Sequence, residues 1–83
     1  SPCLTLVLIQ GGYAQAKADF DSLGVEPIPT KIQNGQQAYR GVLPDGTNVN
    51  IHYSTASMDG WTLEFTKGGS SVLSNSVKIR YGG

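Results

Sequence analysis

The only histidine of the chain, His52, lies in the stretch Val49-Asn-Ile-His-Tyr-Ser54, and a carboxylate, Glu64, follows in Trp61-Thr-Leu-Glu-Phe65. Lys78 and Arg80 alternate with Val77, Ile79 and Tyr81 near the C-terminus, and Arg40 stands upstream. A proton carrier, a carboxylate and several cations are what RNA cleavage without a metal requires. A base takes the proton of a ribose 2′-OH, the oxygen attacks the adjacent phosphorus, and an acid protonates the departing 5′-oxygen. Cationic donors stabilise the charge that builds on the non-bridging oxygens. In this reading His52, Glu64, Arg80 and Lys78 are the catalytic candidates. Arg40, Ser54, Thr62 and Asn50 are the substrate-binding ones, and neither a metal nor a cofactor is called for.

Those residues act together only if strands bring them together. Tyr13, Ala16, Phe20 and Leu23 recur at helical spacing and Gly24 follows as a stop, which predicts one short amphipathic helix over Tyr13 to Leu23. Val25 to Thr30 contains two prolines and reads as extended, and Asn34-Gly35 offers a turn. Beyond it the helical period is gone. Ala38 to Leu43 and Thr47 to Tyr53 flank Pro44-Asp45-Gly46, a hairpin signal in which proline presets one turn residue and glycine supplies positive φ. Trp61 to Thr66 gives a third strand. Val77 to Tyr81, after a Gly/Ser-rich turn at Gly68 to Ser71, gives a fourth. The apolar run from Cys3 to Ile9 is too short to span a bilayer and lacks the basic start of a signal peptide, so it reads as a buried strand or packed segment.

Alternation along the strands sorts the side chains onto two faces. Tyr39, Leu43, Val49, Ile51, Tyr53, Trp61, Leu63, Phe65, Val77, Ile79 and Tyr81 form a core face that meets the helix. Arg40, Asn48, Asn50, His52, Ser54, Thr62, Glu64, Thr66, Lys78 and Arg80 form an open face. With a hairpin connection between Tyr53 and Trp61, His52 lies opposite or diagonal to Glu64, roughly 5 to 8 Å apart at Cβ. The fold class expected is α+β, one N-terminal amphipathic helix packed on a four-stranded antiparallel sheet.

Eighty-three residues make one domain, residues 1–83, with a modest core. A lone Cys3 closes no intrachain disulfide and its apolar setting makes a poor nucleophile. Formal charge is zero, so the protein lacks the overall basic signature of many nucleic-acid binders. Lys31, Arg40, Lys67, Lys78 and Arg80 nonetheless leave the later part of the chain mildly basic. The competing reading is a solvated sheet face on a non-catalytic binding module, such as an immunity or inhibitor protein. In that case Lys78 and Arg80 only protect a sheet edge.

Leu43-Pro-Asp-Gly-Thr-Asn-Val-Asn-Ile51, Asp59-Gly60, Thr62-Leu-Glu-Phe65 and Val77-Lys-Ile-Arg-Tyr81 resemble the C-terminal ribonuclease toxin domains of bacterial polymorphic and contact-dependent inhibition systems, related to the barnase, EndoU, colicin and RelE group. The resemblance covers roughly residues 13 to 81. It implies a helix-then-four-strand layout and a domain cut from the C-terminal end of a larger secreted protein. It also implies secretion or cell-surface delivery, action in the target-cell cytoplasm without membrane insertion by this domain, an RNA substrate such as tRNA, and a cognate immunity protein. Those toxins frequently carry Arg followed by Pro at the position of His52, and Pro at that of Trp61. Either His52 is the specialised acid/base here, or the chemistry passes to Ser54, Thr62 and Lys78.

Overall fold

The structure, a computed structural model, describes residues 4–54, 60–67 and 75–82. In chain order these form β1 (Leu4–Gln10), α1 (Gly12–Asp21), β2 (Ile28–Gln33), β3 (Gln36–Val42), β4 (Asn48–Ser54), β5 (Gly60–Lys67) and β6 (Asn75–Gly82). The strands make one sheet in the order β1-β6-β5-β4-β3-β2. Neighbours from β2 to β6 run antiparallel, whereas β1 runs parallel to β6, Val7 aligning with Ile79 and Ile9 with Tyr81.

The expected four-stranded antiparallel sheet is therefore corrected to a six-stranded mixed one, still α+β with one helix. Both additional strands sit at edges. The N-terminal apolar run becomes β1, and it is not buried: Leu6 and Leu8 are 50% and 59% exposed. The proline-bearing segment becomes β2. Pro29 has no N–H to donate, and an edge strand tolerates that because one side of its ladder is unused. A bulge between Pro29 and Ile32 interrupts the β2–β3 register.

Local chemistry accounts for the connections. Gly11 opens the helix at φ +118, and a Cβ there would come within 2.5 Å of the Gln15 Cβ, so glycine is required. Asn34 and Gly35, at φ +47 and +78, make the primed turn between β2 and β3. In the β3–β4 hairpin the Leu43 N–H donates to the Thr47 carbonyl, and the Asp45 carboxylate accepts from the Thr47 N–H at 2.9 Å. The expected turn at Gly68 to Ser71, Asp59 and Cys3 all lie outside the described residues.

The helix packs across β4, β5 and β6. Its Ala16 and Phe20 close on Val49, Ile51, Trp61, Leu63 and Tyr81, all buried as the alternation predicts. Tyr39, Tyr53, Phe65 and Ile79 pack around that cluster. Trp61 takes the edges of Tyr13 and Tyr53 at centroid distances of 4.6 and 5.8 Å. These aromatic residues are core. The Tyr81 hydroxyl donates to Asp19 at 2.7 Å, and burial together with that bond pushes its pKa far above the ordinary value. Helix and sheet are thus tied at a second point beyond apolar packing.

Candidate active site on the open face

The sheet register places the candidate residues in two rows on the face opposite α1. One row runs Arg40, Asn50, Glu64, Lys78 across β3 to β6 and ends on Leu6 of β1. The next runs His52, Thr62, Arg80 and ends on Leu8. His52 and Glu64 are therefore diagonal neighbours, one of the two arrangements the strand pattern allows. Their side chains meet, His52 Nε2 lying 3.2 Å from Glu64 Oε1. Glu64 thus pairs with His52 along the diagonal, even though Lys78 stands directly across from it.

That contact sets the ring's chemistry. A carboxylate only accepts, so Nε2 carries the shared proton, and in the neutral imidazole Nδ1 is the basic nitrogen. The two side chains are 33% and 22% exposed, enough to be reached by a substrate.

The other candidates divide. Lys78 and Arg80 are half-buried on β6 beside the pair. Asn50 bridges the register between Arg40 and Glu64. Arg40 is exposed on β3, beyond Asn50 and away from the pair. Ser54 ends β4 opposite Gly60, two residues beyond His52. Thr62 is not the open donor that strand geometry alone implies. It is 0% exposed between His52 and Arg80, and its Oγ1 has no hydrogen-bond partner among the described residues.

Two residues outside the sequence-derived set belong to this region. The β3–β4 ladder stops at Tyr39 and Ile51, and beyond it the outer edge of β4 has no strand partner among the described residues. Gln33 of β2 takes its place: its Oε1 accepts from the Tyr53 N–H at 3.1 Å and its Nε2 donates to the Tyr53 carbonyl at 3.4 Å. A carboxamide here stands in for a ladder residue immediately after His52 and holds that backbone in place. The same bulged β2 brings Lys31 over β3 and β4, and together they enclose a groove of ≈ 360 Å³ that reaches His52. A bulge has no signature in this stretch of sequence, so neither Gln33 nor Lys31 was marked by type or spacing.

Among the described residues no cluster of three or more His, Cys, Asp or Glu side chains is arranged to hold a metal ion, and no helix is long and apolar enough to cross a membrane. Comparison of the chain with protein-family models, with curated proteins and with solved structures finds no match.

Proposed function

We propose that this domain is a metal-independent endoribonuclease toxin that cleaves RNA by attack of a 2′-hydroxyl on the adjacent phosphate. The observation that carries the reading is the 3.2 Å contact between His52 and Glu64 on the face left uncovered by the helix, with Lys78 and Arg80 in register beside it. His52 Nδ1 takes the 2′-OH proton while Glu64 holds the ring and balances the imidazolium. The new bond from the 2′-oxygen to phosphorus forms as the bond to the 5′-oxygen breaks. Lys78 supplies the proton to that oxygen and Arg80 takes charge from the non-bridging oxygens. The products are a 2′,3′-cyclic phosphate and a 5′-hydroxyl. Delivery into a neighbouring cell, tRNA as the RNA attacked and an immunity protein that masks this face rest on the resemblance of residues 43–51, 62–65 and 77–81.

The test is incubation of the domain with total RNA in EDTA, followed by analysis of the ends. Discrete fragments with cyclic phosphate ends, lost when the nucleotide 5′ of the cut carries a 2′-deoxyribose, are expected. Intact RNA, or fragments with 5′-phosphate ends, would remove the proposal. A second reading, a docking module without catalysis, is favoured by the bare apolar β1 edge with Leu6 and Leu8 exposed, and intact RNA would leave it standing.

A further inference from the structure

The two edges of the sheet are built differently. β2 is guarded against further pairing: Pro29 has no N–H to offer, a bulge between Pro29 and Ile32 breaks the register, and Lys31 puts a charge on the strand. Ile32 is 70% exposed, but it sits on an edge that extends a ladder poorly. β1 has none of these devices. Leu4-Thr-Leu-Val-Leu-Ile-Gln10 contains no charge and no proline, and its register with β6 is unbroken over all seven residues. Leu6, Val7, Leu8 and Ile9 are 50%, 39%, 59% and 36% exposed, so both faces of the strand are bare. Among the described residues no strand lies beyond it, and the alternate N–H and C=O groups that point away from β6 form an open ladder.

We propose that β1 pairs with β1 of a second copy of this chain, antiparallel about a two-fold axis at Val7. Three observations favour that occupant. The strand is self-complementary: in this register Val7 lies opposite Val7 and Leu6 opposite Leu8 of the second copy, with all seven residues paired, and any other two-fold register leaves residues over. Apolar side chains then meet across the seam on both faces, Leu6 with Leu8 on the open face and Val7 with its copy on the other. Charge does not oppose the pairing. Lys78 and Arg80, one strand in from the edge, face those of the second copy across three strand spacings, about 14 Å, which exceeds the Debye length of about 10 Å at 0.1 M salt. The guarded β2 supplies the third observation, because the edge a second copy has to offer is then the same β1, and the contact closes as an isologous dimer rather than running on as a filament. The axis stands normal to the sheet, so both open faces lie on one side and both helices on the other. Glu64 and His52, on β5 and β4, stay uncovered.

The seam is one strand wide, so the dimer is a weak one, with a dissociation constant of about 10 μM to 1 mM. Sedimentation equilibrium of the 83-residue chain across that range should carry the mass from that of one chain towards that of two and no further. Amide resonances should shift with concentration on residues 4–10 and not on β2, a map that decides the edge without any variant. Leu6→Lys combined with Leu8→Lys sets like charges opposite one another across the seam and should weaken association at least about tenfold, while the dilute protein keeps its folded spectrum. Ile32→Lys, on the other edge, should leave association unchanged. A single-chain mass at about 1 mM would overturn the proposal and leave β1 to a strand of another protein. Masses that keep rising with concentration, or concentration-dependent shifts that fall on β2, would overturn it as well. So would association that survives the double variant, or that Ile32→Lys weakens equally. None of these outcomes depends on whether RNA is cut.

Discussion

Strands β4, β5 and β6 carry two different surfaces on one backbone, one residue out of phase. On the helix side, Ile51, Leu63 and Ile79 stand in register and pack under α1. On the other side, the row one residue earlier reads Asn50, Glu64 and Lys78, with His52 and Arg80 in the row beyond Ile51 and Ile79. The first surface stabilises the fold through buried apolar area. The second stabilises little, since partly exposed ion pairs are worth about 0–1 kcal/mol. A domain this small has one core, and the groups proposed to do chemistry lie where their loss leaves that core intact.

The difference can be broken most forcefully from the helix side. Leu63→Ala removes a fully buried side chain and is expected to cost about 2–5 kcal/mol, read as a lower urea midpoint. A loss below about 1 kcal/mol would mean that the helix-side surface is not the core described. Tyr81→Phe is next. It removes the donor to Asp19 Oδ2, leaving Gln15 Nε2 on Oδ1, at a cost of about 1.5–3 kcal/mol, the range for hydrogen bonds to charged groups. It also changes the alkaline limb of the stability curve. The folded Tyr81 keeps its proton well above the ordinary pKa of 10.0, so above pH 10 unfolding releases a proton. The stability this phenol lends is complete below pH 10 and is lost as pH rises through its folded value. Urea midpoints at pH 9 to 11 should fall more steeply for the parent than for Tyr81→Phe.

From the open side the effects are smaller in stability and appear in rate. Glu64→Gln keeps the shape but removes the carboxylate charge beside His52, which the proposed mechanism uses. It is expected to slow RNA cleavage about 10- to 100-fold, equivalent to about 1.4–2.7 kcal/mol in the barrier. Initial rates on a defined RNA measure it, and an unchanged rate would take Glu64 out of the mechanism.

Thr62→Val sharpens the contrast, because Thr62 faces the open side yet is as buried as the core. Removing a hydroxyl with no partner among the described residues should raise the midpoint by about 1 kcal/mol. Cleavage should fall at the same time, as expected where a costly buried polar group is kept for function. A higher midpoint with unaltered cleavage would make Thr62 a packing residue only.

The two-surface pattern was legible in the sequence because strand alternation is a local signal: Val49, Ile51, Leu63, Ile79 and Tyr81 separate from Asn50, His52, Glu64, Lys78 and Arg80 by parity alone. The hairpin at Pro44-Asp45-Gly46 was equally plain, since its turn chemistry lies within a few residues. Neither edge strand was counted in the sheet, although the N-terminal apolar run could be read as a strand. β1 is defined by parallel pairing with β6 at the other end of the chain, and no turn residue announces such a long-range contact. β2 was hidden by Pro29 within it and Pro27 just before it, which argue against a central strand but not against an edge. Without β2 there was no bulge to anticipate, and so no groove, no place for Lys31 and no structural use for Gln33. Reading the strands gave the diagonal option for His52 and Glu64. Only the register chose it.

The claim that folding and chemistry occupy opposite faces is tested most directly by one variant read in two ways. His52→Ala should leave the urea midpoint within about 0.5 kcal/mol of the parent, as for other substitutions outside the core. On the same preparation, RNA cleavage in EDTA should fall about 100- to 10,000-fold, the usual contribution of a general base. Cleavage that persists at the parental rate, or a midpoint that collapses with the activity, would contradict the account.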